Sequence, residues 1–142
     1  MPYDPNLVRP MREELTRIGV KELRTADDVD EVLAASEGTT MVVVNSVCGC
    51  AAGNARPAVA MALQHGTVPD RSVTVFAGQD LEAAARAREY FPGFRPSSPS
   101  IALLQDGELV FMLERHQIEG RPAEEIAGDL TSAFDRYSVG AL

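Results

Sequence analysis

The stretch between residues 44 and 57 constrains this chain more than any other, because it joins two segments of different structural preference. The apolar run at residues 41–44 predicts a buried strand. The alanine-rich run at residues 58–64 predicts a helix. Both cysteines of the protein, Cys48 and Cys50, lie between these segments with one glycine separating them. The sequence therefore predicts two thiols at a strand-to-helix turn.

The start of a helix is a favourable place for a thiolate. The first N–H groups of a helix have no partners within it and carry partial positive charge. Such surroundings lower the pKa of a cysteine thiol from about 8.5 by one to several units. Three uses of Cys48 and Cys50 remain open on this pattern: thiol–disulfide exchange, ligation of a metal ion, and packing as small apolar side chains.

Composition narrows the class of protein. The chain has 142 residues, which suits a single domain covering residues 1–142. Its net charge of −8 argues against a nucleic-acid partner, which requires a basic face, and offers no polybasic patch for an anionic membrane. No apolar run approaches the ~20 residues that span a bilayer, and the first six residues lack the pattern of a secretory signal. We therefore expect a cytoplasmic location, with neither nucleic acid nor membrane as a partner.

Helical and extended patterns alternate along the chain. Apolar residues recur at three- and four-residue steps in the first helix: Leu7, Val8, Met11, Leu15 and Ile18. Arg12 falls between them, on the face that we expect to be solvated. Residues 20–24 predict a short edge strand, and Thr25 with Asp28 predicts the capped start of a second helix. Asp80 is the expected cap of a further helix at residues 81–90.

The strand pattern predicts an α/β fold. A central strand at Thr39–Asn45 and another at residues 72–77 alternate with helices, which implies parallel pairing with helices on both faces. Asp106 and Gly107 predict a tight turn into an antiparallel hairpin that completes a mixed sheet. Sites in such sheets lie at the carboxyl ends of strands, and the cysteines follow the central strand directly.

Residues 91–100 form a proline- and serine-rich segment before the hairpin. Its composition suits either a linker or an ordered loop that leads into the next strand. The order of elements resembles the thioredoxin fold, in which a redox dithiol opens a helix and a cis-proline before the hairpin faces it. Pro99 stands at that place. The resemblance implies a cis bond at Pro99 and a Ser98 backbone offered to an incoming peptide or thiol; an ordinary trans-proline is the alternative.

Longer motifs resemble those of the bacilliredoxins, thioredoxin-like proteins with Cys-Gly-Cys in place of Cys-x-x-Cys. These motifs lie at residues 11–16, 44–58, 75–80, 96–100 and 114–121. The resemblance implies removal of bacillithiol, a cytoplasmic low-molecular-weight thiol, from mixed disulfides on S-thiolated client proteins. It also implies weak disulfide-isomerase activity. Bacillithiol is then a thiol co-substrate, and no bound cofactor is expected.

In this scheme Cys48 is the attacking thiolate, because it comes first and is expected to be the more exposed. Cys50 either resolves the Cys48 mixed disulfide or modulates its reactivity. A disulfide across one residue departs from relaxed geometry and is easily reduced, so the pair is expected to be a poor general reductant. The expected substrate-binding residues are Ser98, Pro99, Asn54 and Arg56. For the last two the alternatives are hydrogen bonding at the helix start for Asn54 and simple solvation for Arg56.

Two alternatives use the Cys-Gly-Cys pair without turnover. In a metal-binding module, Cys48 and Cys50 would join His65 or His116 around zinc. His65 stands at a helix end, where contact with terminal carbonyls is the simpler expectation. His116 lies in a charged segment, where solvation or a bond to a nearby glutamate is simpler. A redox-sensing adaptor would instead form an oxidation-dependent complex with a partner protein.

Overall fold

A computed structural model describes residues 2–34 and 37–138 of the chain. Its helices are α1 (Pro5–Thr16), α2 (Ala26–Leu33), α3 (Arg56–Ala62), α4 (Leu81–Arg88) and α5 (Ala123–Ser138). Its strands are β1 (Lys21–Glu22), β2 (Thr39–Asn45), β3 (Arg71–Phe76), β4 (Ser100–Gln105) and β5 (Glu108–Leu113). Among the described helices, none is long and apolar enough to cross a membrane.

Within the described residues, the five strands form one mixed sheet in the order β1-β3-β2-β4-β5. Strands β1, β3 and β2 are parallel, whereas β4 is antiparallel to both β2 and β5. The predicted α/β architecture is confirmed. The hairpin turn is also confirmed, since Asp106 and Gly107 both adopt positive φ, at 52° and 82°. The ladder of β4 and β5 follows that turn directly.

Strand β2 is the centre of the molecule, and all seven of its residues are buried. Because side chains alternate between the faces of a strand, Met41 and Val43 enter one core while Val42 and Val44 enter the other. The first core lies under α1, α3 and α5, and the second lies under α2 and α4. The cysteine loop therefore leaves a strand that is fixed on both faces.

Arg12 was expected on a solvated face, and that prediction is wrong. The residue is 8% exposed, and its guanidinium bonds both carboxylate oxygens of Asp80 at 2.7 and 3.1 Å. Glu22 lies 3.4 Å away, and the Phe76 ring centroid is 5.3 Å from the guanidinium carbon. Paired charges of this kind can be buried, whereas helical spacing alone assigns every arginine to the surface. Leu7 is correspondingly exposed.

Asp80 was predicted to cap α4. It occupies the N-cap position, but its side chain makes no cap hydrogen bond and instead accepts one hydrogen bond from Arg12 on each carboxylate oxygen. The capping box predicted at Thr25 and Asp28 is confirmed, with the Asp28 N–H donating to the Thr25 hydroxyl at 3.0 Å. A cap between residues three apart is local, and such local pairs can be predicted from sequence.

Candidate functional site

The two cysteines lie at the carboxyl end of β2, where the chain turns into helix. One wide, π-helical turn at Ala51–Ala55 precedes α3, and the Arg56 N–H bonds the carbonyl of Ala51 five residues back. Pro57 explains this turn, since a proline ring collides with the carbonyl four residues earlier in a regular helix. Widening the turn removes that collision. Pro57 lies in the first turn of α3.

Cys48 is a free, partly buried thiol. Its N–H donates to the Ser46 hydroxyl at 3.2 Å, and its carbonyl accepts the N–H groups of Ala51 and Ala52 at 3.1 and 3.2 Å. Burial raises the pKa of the Cys48 thiol, but a hydrogen bond to the Ser46 side chain and bonds to backbone N–H groups lower it. The net pKa of Cys48 is below its ordinary value. The predicted effect of the helix start is therefore present.

Cys50 is also free and partly buried, but its surroundings favour the thiol. Its Sγ lies 3.6 Å from Oε2 of Glu119, to which it donates a hydrogen bond. Burial raises the pKa of Cys50, and the negative charge of Cys48 and the bond to Glu119 raise it further. The net pKa of Cys50 is above its ordinary value. The motif thus holds one thiol poised to ionise and one that keeps its proton.

A loop opposite the cysteines carries the predicted proline. The Ser98–Pro99 peptide bond is cis, as the resemblance to the thioredoxin fold implies. The carbonyl of Ser98 accepts a hydrogen bond from Nη1 of Arg115 at 3.2 Å. Nε of Arg115 lies 3.2 Å from Oε2 of Glu119, the oxygen that also meets Cys50. The segment at residues 91–100 is therefore an ordered loop, joined through Arg115 to the thiols.

Arg56 lies beneath the cysteine loop. It is 3% exposed, so the alternative of a solvated residue is wrong. Its Nη1 donates to Oδ1 of Asn45 at 2.9 Å and to the carbonyl of Ser46 at 2.8 Å. Glu14 lies 3.1 Å from its Nε as an ion-pair partner. Arg56 thereby fixes the two residues through which the chain leaves β2.

Asn54 makes its side-chain hydrogen bond with another segment of the protein. Its side-chain amide donates to the carbonyl of Arg121, in the segment between β5 and α5. The alternative of hydrogen bonding at the helix start is therefore wrong. The bond joins the π-helical turn after the cysteines to the segment that carries Arg115 and Glu119.

Comparison of the sequence with those of known proteins identifies its family. A sequence model described as disulphide isomerase matches residues 3–138. A bacilliredoxin of Koribacter versatilis is 59% identical over 95% of this chain and 93% of its own length. A bacilliredoxin of Staphylococcus aureus is 53% identical over 95% of this chain and 92% of its own. The chain belongs to the bacilliredoxin family. Membership supports its assignment as an oxidoreductase.

Solved structures show the fold of this bacilliredoxin. A thioredoxin from Fasciola hepatica matches with a TM-score of 0.58 at 21% identity, covering 83% of this chain and 99% of that one. A mutant thioredoxin from Halobacterium salinarum matches with a TM-score of 0.57 at 17% identity, covering 85% of this chain and 92% of that one. The predicted thioredoxin-like fold is confirmed.

Three residues of the bacilliredoxin site were not predicted from the sequence: Ser46, Arg115 and Glu119. Ser46 lies two residues before Cys48, and a serine at that position is a local signal that could have identified it. Glu119 is 69 residues from Cys50, so no local pattern connects them. The motif that contains Arg115 and Glu119 entered only as part of the family resemblance.

The histidines considered for zinc have other surroundings. Nε2 of His65 lies 2.9 Å from Oδ1 of Asp135 on α5, rather than at the terminal carbonyls expected for it. His116 is exposed on a short 3₁₀ turn at Arg115–Gln117. Among residues 2–34 and 37–138, no three His, Cys, Asp or Glu side chains gather as a metal-binding group.

Proposed function

We propose that this bacilliredoxin removes bacillithiol from mixed disulfides on cytoplasmic client proteins. One arrangement carries the proposal: Cys48 lies beside the Ser46 hydroxyl and the backbone N–H groups of the turn, whereas Sγ of Cys50 donates to Glu119 at 3.6 Å. These surroundings lower the pKa of Cys48 and raise that of Cys50. Thiol–disulfide exchange begins with a thiolate, and the rate rises with the fraction of thiol that is ionised. Cys48 is therefore the attacking group, and Cys50 stays protonated until a later step.

The first step transfers bacillithiol to the protein. The Cys48 thiolate attacks the bacillithiol sulfur of the client's mixed disulfide and forms a new S–S bond with it. The old S–S bond breaks, and its electron pair leaves with the client sulfur, which then takes a proton. The client regains a free thiol, and Cys48 carries the mixed disulfide. No further oxidant or reductant is consumed, because one disulfide is exchanged for another.

The second step releases bacillithiol. Cys50 attacks the Cys48 sulfur, a Cys48–Cys50 disulfide forms, and bacillithiol leaves as a thiolate. A second low-molecular-weight thiol can attack bacillithiol's sulfur instead and free Cys48 directly. In either route Ser98 and Pro99 would border the client chain. Arg56 and Asn54 would act on the substrate only through the loop segments that they hold.

The test uses two matched single variants, Cys48→Ala and Cys50→Ala. Each reduced protein is incubated with a client protein carrying bacillithiol, and intact mass is recorded. We expect Cys50→Ala to accumulate an adduct of one bacillithiol on Cys48 and Cys48→Ala to accumulate none. An adduct only on Cys48→Ala would reverse the two roles. Absence of an adduct on both variants and the wild-type chain would reject the proposal.

Disulfide isomerisation is a second candidate, favoured by the description of the matching family model. An isomerase also begins with thiolate attack on a client disulfide, but the client itself resolves the mixed disulfide. Reactivation of an enzyme with scrambled disulfides tests this activity. We expect Cys50→Ala to retain it and Cys48→Ala to lose it, because the attacking thiolate is the group that isomerisation requires.

A further inference from the structure

The segment between β5 and α5 is held firmly against the helical turn that follows the cysteines. Its residue Ile118 is fully buried in the core beneath α3 and α5. The N–H of Glu114 donates to the Gln117 side chain at 2.9 Å, which closes a capping box around the 3₁₀ turn. Asn54 bonds the carbonyl of Arg121 at the far end. These three anchors fix the backbone from which Arg115 and Glu119 project toward the thiols.

Arg115 and Glu119 form a bridge between the cysteine motif and the proline loop. Oε2 of Glu119 meets both Sγ of Cys50, at 3.6 Å, and Nε of Arg115, at 3.2 Å. Nη1 of Arg115 reaches the Ser98 carbonyl at 3.2 Å. A chain of hydrogen bonds thus runs from Cys50 through the carboxylate of Glu119 and the guanidinium of Arg115 to the carbonyl of Ser98.

Charged side chains near the two thiols have opposite effects on their ionisation. Cys50 meets the carboxylate of Glu119, the positive charge of Arg115 and the sulfur of Cys48. The positive charge of Arg115 also lowers the pKa of Cys48. A carboxylate that accepts a bond from a thiol stabilises the protonated form, whereas a nearby guanidinium stabilises a thiolate. Glu119 and Arg115 therefore have opposite effects on the pKa of Cys50, and Arg115 also favours the thiolate of Cys48.

We propose that Glu119 is a catalytic residue that holds the proton of Cys50, and that Arg115 is the positioning residue that keeps its carboxylate there. This deepens the proposed function and rests on it for the order in which the cysteines react. While Cys50 keeps its proton and donates it in a hydrogen bond to Glu119, Cys48 is the thiolate that attacks the client's mixed disulfide. When Cys50 attacks the Cys48 mixed disulfide, its proton passes to Glu119 and the electron pair of the broken S–S bond leaves with bacillithiol.

The test is Glu119→Gln in the Cys48→Ala background, which isolates Cys50 from the charge of its neighbour. The pH dependence of alkylation by iodoacetamide reports the thiolate fraction of Cys50. We expect the midpoint to fall by about one pH unit, because a neutral amide stabilises the protonated thiol less than a carboxylate does. The matched control is Glu124→Gln, at an exposed position near the start of α5 that makes the same change in net charge. An equal midpoint in both variants would overturn the proposal.

A second measurement distinguishes two roles of Glu119: accepting the hydrogen bond of the Cys50 thiol, and stabilising the turn that carries Arg115. In the Cys50→Ala background, loosening the turn would withdraw Arg115 from Cys48 and move the Cys48 midpoint upward. Proton holding predicts instead that Glu119→Gln moves the Cys50 midpoint more than the Cys48 midpoint. An upward shift at Cys48 with none at Cys50 would assign Glu119 a structural role. Alkylation needs no bacillithiol, so this inference can fail while adduct formation on Cys48 still succeeds.

Discussion

At the scale of single residues, the reactivity of Cys48 depends on Ser46. Burial acts against the Cys48 thiolate, and the hydrogen bond to the Ser46 side chain is the largest of the effects that oppose burial. Ser46 is itself buried, its carbonyl accepts a hydrogen bond from Arg56, and its hydroxyl accepts one from the N–H of Cys48. The low pKa of Cys48 is therefore a property of a short loop whose backbone is fixed, and not of the helix start alone.

The variant Ser46→Ala tests this dependence. Without the hydroxyl, burial is less opposed, so the pKa of Cys48 rises and its alkylation profile moves to higher pH by about half a unit to one unit. Alkylation near neutral pH slows accordingly, because less thiolate is present. The measurement is the alkylation rate against pH in the Cys50→Ala background. The control is Ser132→Ala, a serine on α5 far from the thiols in sequence and on another element. Identical profiles for the two variants would show that Ser46 has no part in the shift.

At the scale of elements, Arg56 connects three of them. It stands at the start of α3 and bonds the last residue of β2, the loop after it, and Glu14 of α1. A buried guanidinium whose partners are also fixed is costly to remove, since the carbonyl of Ser46 would lose its donor. The position of the loop that carries Cys48 and Cys50 therefore depends on the contact of Arg56, at the start of α3, with the end of β2.

We predict that Arg56→Met lowers the free energy of unfolding by about 2–4 kcal/mol, since a buried carbonyl and a buried carboxamide oxygen lose a charged donor. Urea denaturation measures this change. The control, Arg17→Met, removes an arginine whose side chain is 74% exposed, and should change the free energy by about 0.5 kcal/mol or less. Equal stability of the two variants would mean that the buried contacts of Arg56 contribute nothing net.

The same elements show what sequence could predict. The strand at Thr39–Asn45 was predicted with its observed bounds, because an apolar run with β-branched residues is a local signal. The location of the thiols at the strand-to-helix turn followed from it. The contact of Arg56 with Ser46 and that of Glu119 with Cys50 could not be predicted, because they join residues 10 and 69 positions apart. Only the folded sheet brings such residues together.

At the scale of the whole molecule, Arg12 illustrates the same limit. Helical spacing placed it on the solvated face, but α1 packs so that Asp80, Glu22 and the Phe76 ring surround it. Its burial depends on where α1 meets the ends of β1 and β3, which no single helix specifies. The alternation of strands and helices predicted the layered sheet correctly, because that pattern is a property of the whole chain.

The last prediction concerns how stability is distributed over the sheet. Strand β2 is buried on both faces and paired on both edges, whereas β1 is a two-residue edge strand. Amide hydrogens of such a central strand exchange only when the molecule unfolds globally, whereas edge amides exchange through local opening. We expect the free energy of exchange in β2 to equal that of global unfolding, and that of β1 to be smaller by several kcal/mol.

Hydrogen exchange followed by mass spectrometry or NMR measures both strands in one sample. The result bears on function, because the thiols follow β2 directly and Arg56 fixes the loop to its last residue. If β2 is the most protected element, the loop with the two cysteines begins at the least mobile part of the sheet. The difference in pKa between Cys48 and Cys50 then persists while other parts of the sheet open locally. Exchange in β2 as fast as in β1 would contradict this, because a loop attached to an opening strand could not hold Ser46 and Cys48 in one arrangement.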